Sequence, residues 1–142
     1  MQGSAEEVID KLQLKPHPEG GFFRETWRHE TSGGERGAGT AIYYLLRAHE
    51  RSHWHRVDAA EIWHFYAGGP LEVSISQTGI ESETWTLHST LGPKSGPQLI
   101  IPAAAWQAAR ALDTWALVGC TVSPAFEFSR FEMAPPDWSP GE

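Results

Sequence analysis

Cysteine is nearly absent from this 142-residue chain: Cys120 stands alone, so no intrachain disulfide can form. It sits in the apolar run from Trp115 to Val122, where a free thiol behaves as a small buried hydrophobe and suits a reducing compartment; a cytoplasmic location is expected. Positive charge is also scarce. Eleven Lys and Arg face eighteen Asp and Glu, a net charge of -7, and such a chain repels phosphate backbones, so nucleic acid is not an expected partner. No stretch approaches the ~18 apolar residues of a membrane span. Met1 to Glu7 lacks both a basic and an apolar stretch, so no secretory signal is expected. There is no internal repeat, and the length suits one domain spanning 1–142.

What is present is aromatic and turn-rich: seven Trp, fourteen Gly and ten Pro. Ser4-Ala5-Glu6-Glu7 reads as a capping box that opens a helix over 4–14, with Val8, Ile9 and Leu12 as its apolar stripe. Pro16 and Pro18 stop it, and Gly20-Gly21 supplies a turn. The rest is β. Strands are predicted at Phe22–Trp27, Thr40–Leu46, His53–Val57, Glu61–Tyr66, Leu71–Ser76, Glu83–His88, Leu99–Ile101, Trp106–Leu112 and Trp115–Val122. One helix followed by many short strands indicates an all-β sandwich or barrel, about 20–124, rather than alternating βαβ units. The tail, 125–142, carries Phe126, Phe128, Phe131 and Met133, which are expected to dock on the barrel, with the last residues loose.

Two stretches hold the chemistry. In His53-Trp54-His55, alternation places both imidazoles on one strand face, roughly 6–7 Å apart at the backbone. Glu61 opens the next strand, and two imidazoles with a carboxylate form a common ligand set for iron, manganese, nickel or zinc. The second stretch runs from Gly96 through Pro102 and Ala104 to Gln107.

Together these stretches resemble the two motifs of the cupin superfamily. His53, His55, Glu61 and Gly68 match the first motif, with a gap of five residues between His55 and Glu61, one longer than usual. Gly96 and Pro102 match the second, but Ala104 stands where a glycine is usual and Gln107 where a histidine is usual. More narrowly the chain resembles the DUF985 (cupin-5) family of RmlC-like cupins. The matching segments are Leu14–Thr26, Thr40–Leu46, His55-Arg56, Glu61–Gly68, Trp106–Ala108 and Val118–Pro124 with Phe126. The resemblance implies a double-stranded β-helix (jelly-roll) barrel and a homodimer. It places His53, His55, Glu61 and Gln107 as a divalent-metal set, although an amide oxygen is a weaker ligand than an imidazole. The alternative is a hydrogen-bonded polar cluster of His55, Glu61 and Gln107 lining a pocket.

Other residues complete the expected pocket. His17 and Glu19 lie in a polar turn that can reach its mouth. Arg24 and Glu25 point to opposite faces, so at most one faces inward. Trp63 and Trp106, with Tyr44, are aromatic walls. Two functions fit. One is an enzyme on a small polar molecule such as a sugar, nucleotide or organic acid. It would be metal-dependent, or an isomerase or epimerase in which His55 (or His17, if it reaches the pocket) or Glu61 removes a proton and Tyr44 returns one. Aspartate, which the cupin epimerases pair with their histidine, is scarce here (Asp10, Asp58, Asp113, Asp137) and none is an obvious partner. The other function is a binding module without turnover.

Overall fold

The computed structural model describes residues 3–141. Helix α1 (Ala5–Leu12) begins with the capping box: the Ser4 hydroxyl accepts from the Glu7 N–H, and the Glu7 carboxylate accepts from the Ser4 N–H. It stops at Gln13, whose φ of 58° is left-handed, two residues before the predicted end. Its buried Ala5 and Val8 pack with Leu45 and Trp115 on the outside of the β structure. No helix among the described residues is long and apolar enough to cross a membrane.

The strands are β1 (Lys15–Pro16), β2 (Phe22–Arg28), β3 (Thr40–Leu46), β4 (Arg51–Val57), β5 (Ala60–Gly68) and β6 (Leu71–Ser76). They continue as β7 (Glu83–Leu87), β8 (Ser95–Gly96), β9 (Gln98–Ile101), β10 (Trp106–Ala111), β11 (Ala116–Ser123) and β12 (Phe131–Met133). One sheet runs β1-β2-β3-β11-β5-β9 and the other β12-β4-β10-β6-β7-β8. All pairings are antiparallel except β7 with β8. This is the two-sheet, all-β architecture expected. Each predicted strand is present; β1, β8 and β12 are additional, two or three residues long, too short to show a period in sequence.

Strand alternation sends one set of side chains between the sheets. Leu46, Leu71, Val73, Leu87 and Val118 are almost wholly buried there, as is Trp63. Burial at this level stabilises by ~1.5–3 kcal/mol per large apolar side chain. Among these apolar positions lie polar ones: Thr40, Ser52, His55, Glu61 and Gln107 are buried as well. The tail adds a strand to the second sheet and docks its aromatics on the barrel. Phe131, Glu132 and Met133 pair with Val57, Arg56 and His55, and Trp138 packs against Trp54 and Trp106.

Ala104, at the motif position where glycine is usual, sits at φ 68° while its N–H donates to the Val57 carbonyl. A left-handed conformation costs a residue with a Cβ about 1–2 kcal/mol. Ala104→Gly is therefore expected to raise unfolding free energy by ~0.5–1 kcal/mol after the added unfolded-state entropy of glycine is subtracted. Urea denaturation of the two proteins checks this; an unchanged or lower midpoint would contradict it.

Candidate active site

The interior hollow is lined by His17, Glu19, Tyr44, His55, Glu61, Trp63 and Cys120, with Phe23, Glu25, Phe126 and Phe128 among the residues completing it. It holds about 40 Å³ of space open to water, against the roughly 10–15 Å³ that one water needs. The hollow thus admits an end group of a few heavy atoms.

Strand β4 decides which histidine enters. Gln107 pairs with His55, but Ala109 pairs with Ser52, so two steps on β10 oppose three on β4. The extra residue shifts the alternation by one. Ser52, His55 and Val57 point inward, whereas the His53 ring leaves the hollow and its Nε2 meets the Pro135 carbonyl at 2.9 Å. The expected convergence of His53 and His55 on one ion is thereby corrected. His53 contributes through its backbone. Its N–H donates to the Glu19 carbonyl (2.8 Å), and its carbonyl accepts from His55 Nδ1 (2.7 Å). With Nδ1 donating to that carbonyl, the ring directs Nε2 toward Glu19. Nε2 lies 3.5 Å from Glu19 Oε1.

The turn at residues 17–21 carries His17 and Glu19 into the hollow. The His17 N–H donates to the Gly21 carbonyl, and the Gly20 N–H to the His17 carbonyl. Gly20 is essential to the turn: its φ is 111°, and a Cβ there would meet the Arg51 carbonyl oxygen at 2.1 Å. The Glu19 N–H donates to His17 Nδ1 (3.1 Å). His17 Nδ1 is therefore an acceptor, and its 3.5 Å approach to Glu19 Oε1 is not a hydrogen bond. Burial pushes the His17 pKa down, toward the neutral ring. Ser52 Oγ donates to Glu19 Oε2.

Glu61 enters from β5 and is fixed from behind. Gln107 Nε2 donates to Glu61 Oε1 (2.9 Å), and Gln107 Oε1 accepts from Trp63 Nε1 (2.8 Å). Gln107 is wholly buried and does not line the hollow; it positions Glu61. Burial raises the Glu61 pKa above the usual carboxylate range. The Cys120 thiol beside it is pushed well up by burial and by the Glu61 charge, so it remains a thiol.

Several expected roles change with this geometry. Tyr44 is a wall, but its hydroxyl donates to the Gly20 carbonyl and burial pushes its pKa well up, so it holds the turn rather than offering a proton to a ligand. Arg24 lies on the outer face, with Nη1 donating to the Leu12 carbonyl at 3.0 Å; Glu25, its neighbour, faces the rim and is paired with Arg28. Trp106 is also outside, between the Arg56 guanidinium and Trp138. Trp63 lies in the wall as expected. Sequence reasoning missed Ser52, because the irregularity in β4 reverses its direction, and placed Cys120 in the core without its contact to Glu61.

The set His53, His55, Glu61 and Gln107 does not suit a divalent ion. His53 points away, and the Gln107 amide turns its N–H toward Glu61 and shares its oxygen with Trp63. Among the described residues no group of three or more His, Cys, Asp or Glu is disposed to hold a metal.

A family model described as Cupin superfamily (DUF985) matches residues 6–134. A Shewanella oneidensis protein known from an X-ray crystal structure is 37% identical, with a TM-score of 0.86, covering 93% of this chain and 85% of that one. A hypothetical protein from Leishmania major is 28% identical with a TM-score of 0.82, covering 93% and 88%. An oxalate decarboxylase from Bacillus subtilis shares the fold at 16% identity and a TM-score of 0.64, covering 84% of this chain and 29% of that one. No match was found among curated proteins.

The buried Glu61 has a sign consequence for stability. Its folded pKa is raised, so the folded state holds a proton that the unfolded chain releases. That contribution is present below the ordinary carboxylate range and is lost as pH rises through the folded value. Glu61→Gln, which stays neutral, is expected to lose stability less steeply over this window. Chemical denaturation at intervals from pH 4 to 8 checks it; parallel curves for the two proteins would contradict it.

Proposed function

Because this chain belongs to the cupin superfamily's DUF985 family, and the matched stretch contains the whole hollow, we propose that it binds a small polar molecule inside the barrel and moves a proton on it, as an isomerase- or epimerase-type enzyme. One observation supports this reading: an imidazole whose Nδ1 is held on a backbone carbonyl and a carboxyl whose pKa burial raises line one small hollow. A general base and a general acid with separated protonation states are what proton transfer beside a carbonyl requires.

In this scheme His55 Nε2 removes a proton from the carbon next to the carbonyl. The electron pair of that C–H bond forms the carbon–carbon double bond of an enol, and Glu61 gives its proton to the carbonyl oxygen. The His55 imidazolium then returns its proton to a carbon of the enol, or of the enediol in an isomerisation, and the hydroxyl proton goes back to the Glu61 carboxylate, which restores both groups. Gln107 and Trp63 hold Glu61 in position, while Gly20, Tyr44 and the His53 backbone hold the turn and the base. Without turnover, the same hollow is a binding module.

The test is exchange in D2O, monitored by proton NMR, across a panel of sugars, sugar nucleotides, organic acids and aminated carbonyl compounds. Protein-dependent loss of one C–H signal is expected. His55→Gln and Glu61→Gln are expected to slow it by at least ~10²-fold while remaining folded. If panel members raise the melting temperature but no C–H exchanges faster than in buffer, the protein binds without catalysis and the enzyme reading fails.

A further inference from the structure

At about 40 Å³ the hollow takes an end group, so a whole sugar or nucleotide enters only if a wall moves. Most of its walls are strands held by ladders of backbone bonds. The turn at 17–21 is bonded to β4 through the Glu19 carbonyl and to Tyr44 through the Gly20 carbonyl. The segment between β11 and β12 is different. It brings Phe126 and Phe128 to the hollow without joining either sheet.

Two fixed points bound its free part. On one side the Ala125 N–H donates to the Gly37 carbonyl (3.0 Å) and the Phe126 N–H to Thr40 Oγ1 (3.1 Å), and both Ala125 and Thr40 are buried. On the other side Phe131 pairs with Val57. Residues 127–130 bridge the interval through a short 3-10 turn, Phe128–Arg130, none of it buried. The backbone bond from the Arg130 N–H to the Glu127 carbonyl (2.9 Å) stays inside this bridge. Phe128 is 52% exposed, although its ring meets those of His17 and Phe126 at 5.9 and 4.8 Å between centres. Little apolar burial and few outside backbone bonds mark a segment that opens locally.

Charge closes it. Asp58, in the turn between β4 and β5, accepts from both Nη atoms of Arg36 (2.7 and 3.1 Å) and from Arg130 Nη1 (3.2 Å). Arg130 Nε also donates to Glu127 Oε1 (3.1 Å), and Arg36 Nε to the Ala125 carbonyl (2.8 Å). One carboxylate thus joins the β2–β3 loop, the β4–β5 turn and the bridge over the hollow. Asp58 and Arg130 are exposed, so water and salt compete for their pairing.

We infer that residues 127–130 form a gate over the hollow, with Phe128 as the stopper and Asp58, Arg36 and Arg130 as the latch, opening about Phe126 and Phe131. Opening breaks the Arg130–Asp58 pair and lifts one half-exposed ring, while both sheets and the turn at 17–21 stay intact. The gate follows from the mouth alone; that it admits a ligand larger than the closed hollow rests on the reading of the hollow as a ligand site.

The chain's lone thiol reports on the gate. Cys120 lines the same hollow and is 2% exposed, so a thiol reagent reaches it only through an opening. Labelling by methyl methanethiosulfonate, small and uncharged, is followed by mass spectrometry at several urea concentrations below the unfolding transition. The wild-type rate is expected to be nearly independent of urea, because a local opening exposes little surface. Asp58→Asn is expected to speed labelling about threefold and Phe128→Ala about tenfold. Molar sodium chloride should speed the wild type about as much as Asp58→Asn does and add little to that variant. Glu72→Gln, which breaks the Arg110 pair on the other sheet, should leave the rate within about twofold. Labelling that climbs with urea in step with global unfolding, or an Asp58→Asn rate equal to wild type, overturns the gate. Failure of the exchange test in D2O would instead remove the proton-transfer reading and leave the gate standing.

Discussion

The proton on His55 Nδ1, donated to the carbonyl of His53, sets the chemistry of the whole interior. That bond directs Nε2 at Glu19, 3.5 Å from Oε1, and it forms because β4 carries one residue more than β10 requires across this stretch. Without the extra residue, strict alternation would bring the His53 ring inward beside His55 and send Ser52 outward. Glu19 would then lose the Ser52 hydroxyl that holds one of its oxygens. A single irregularity in one strand thus selects one imidazole, the direction of its ring and the partner of a carboxylate.

Around this, the protein holds its polar groups by backbone as much as by side chain. The turn at 17–21 is tied to β4 by the His53 N–H and to β3 by the Tyr44 hydroxyl, and Gly20 permits an approach to the Arg51 carbonyl that no Cβ allows. Burial then raises the pKa of Glu61 and lowers that of His17, so both favour their neutral forms. Glu19 sits between two imidazoles, with Oε1 3.5 Å from His17 Nδ1 and from His55 Nε2 and with Oε2 accepting from Ser52.

Much of this was legible in the sequence. The β strands followed from apolar runs bounded by Gly and Pro, and the capping box at Ser4 and Glu7 fixed the start of the helix. His55, Glu61 and Gln107 do lie together, and His17 and Glu19 do reach the hollow from their turn. What failed was mostly phase. An extra residue leaves no mark in a run such as Ser52-His53-Trp54-His55, so the direction of His53 and Ser52 could not be read from a period of two. Trp106 was misplaced, and the choice between Arg24 and Glu25 left open, for another reason: an aromatic or an arginine on a strand fits either face, and only tertiary packing against Trp138 and the helix end decides. Tyr44 was placed correctly in the wall, but the destination of its proton depends on a backbone carbonyl far away in sequence.

The arrangement of protons on two imidazoles is the central claim, and long-range proton–nitrogen NMR of uniformly ¹⁵N-labelled protein near neutral pH reads it directly. A proton on His55 Nδ1 and a His17 whose proton is on Nε2 are expected. A His55 with its proton on Nε2 and none on Nδ1, or a His17 protonated on Nδ1, would contradict this arrangement.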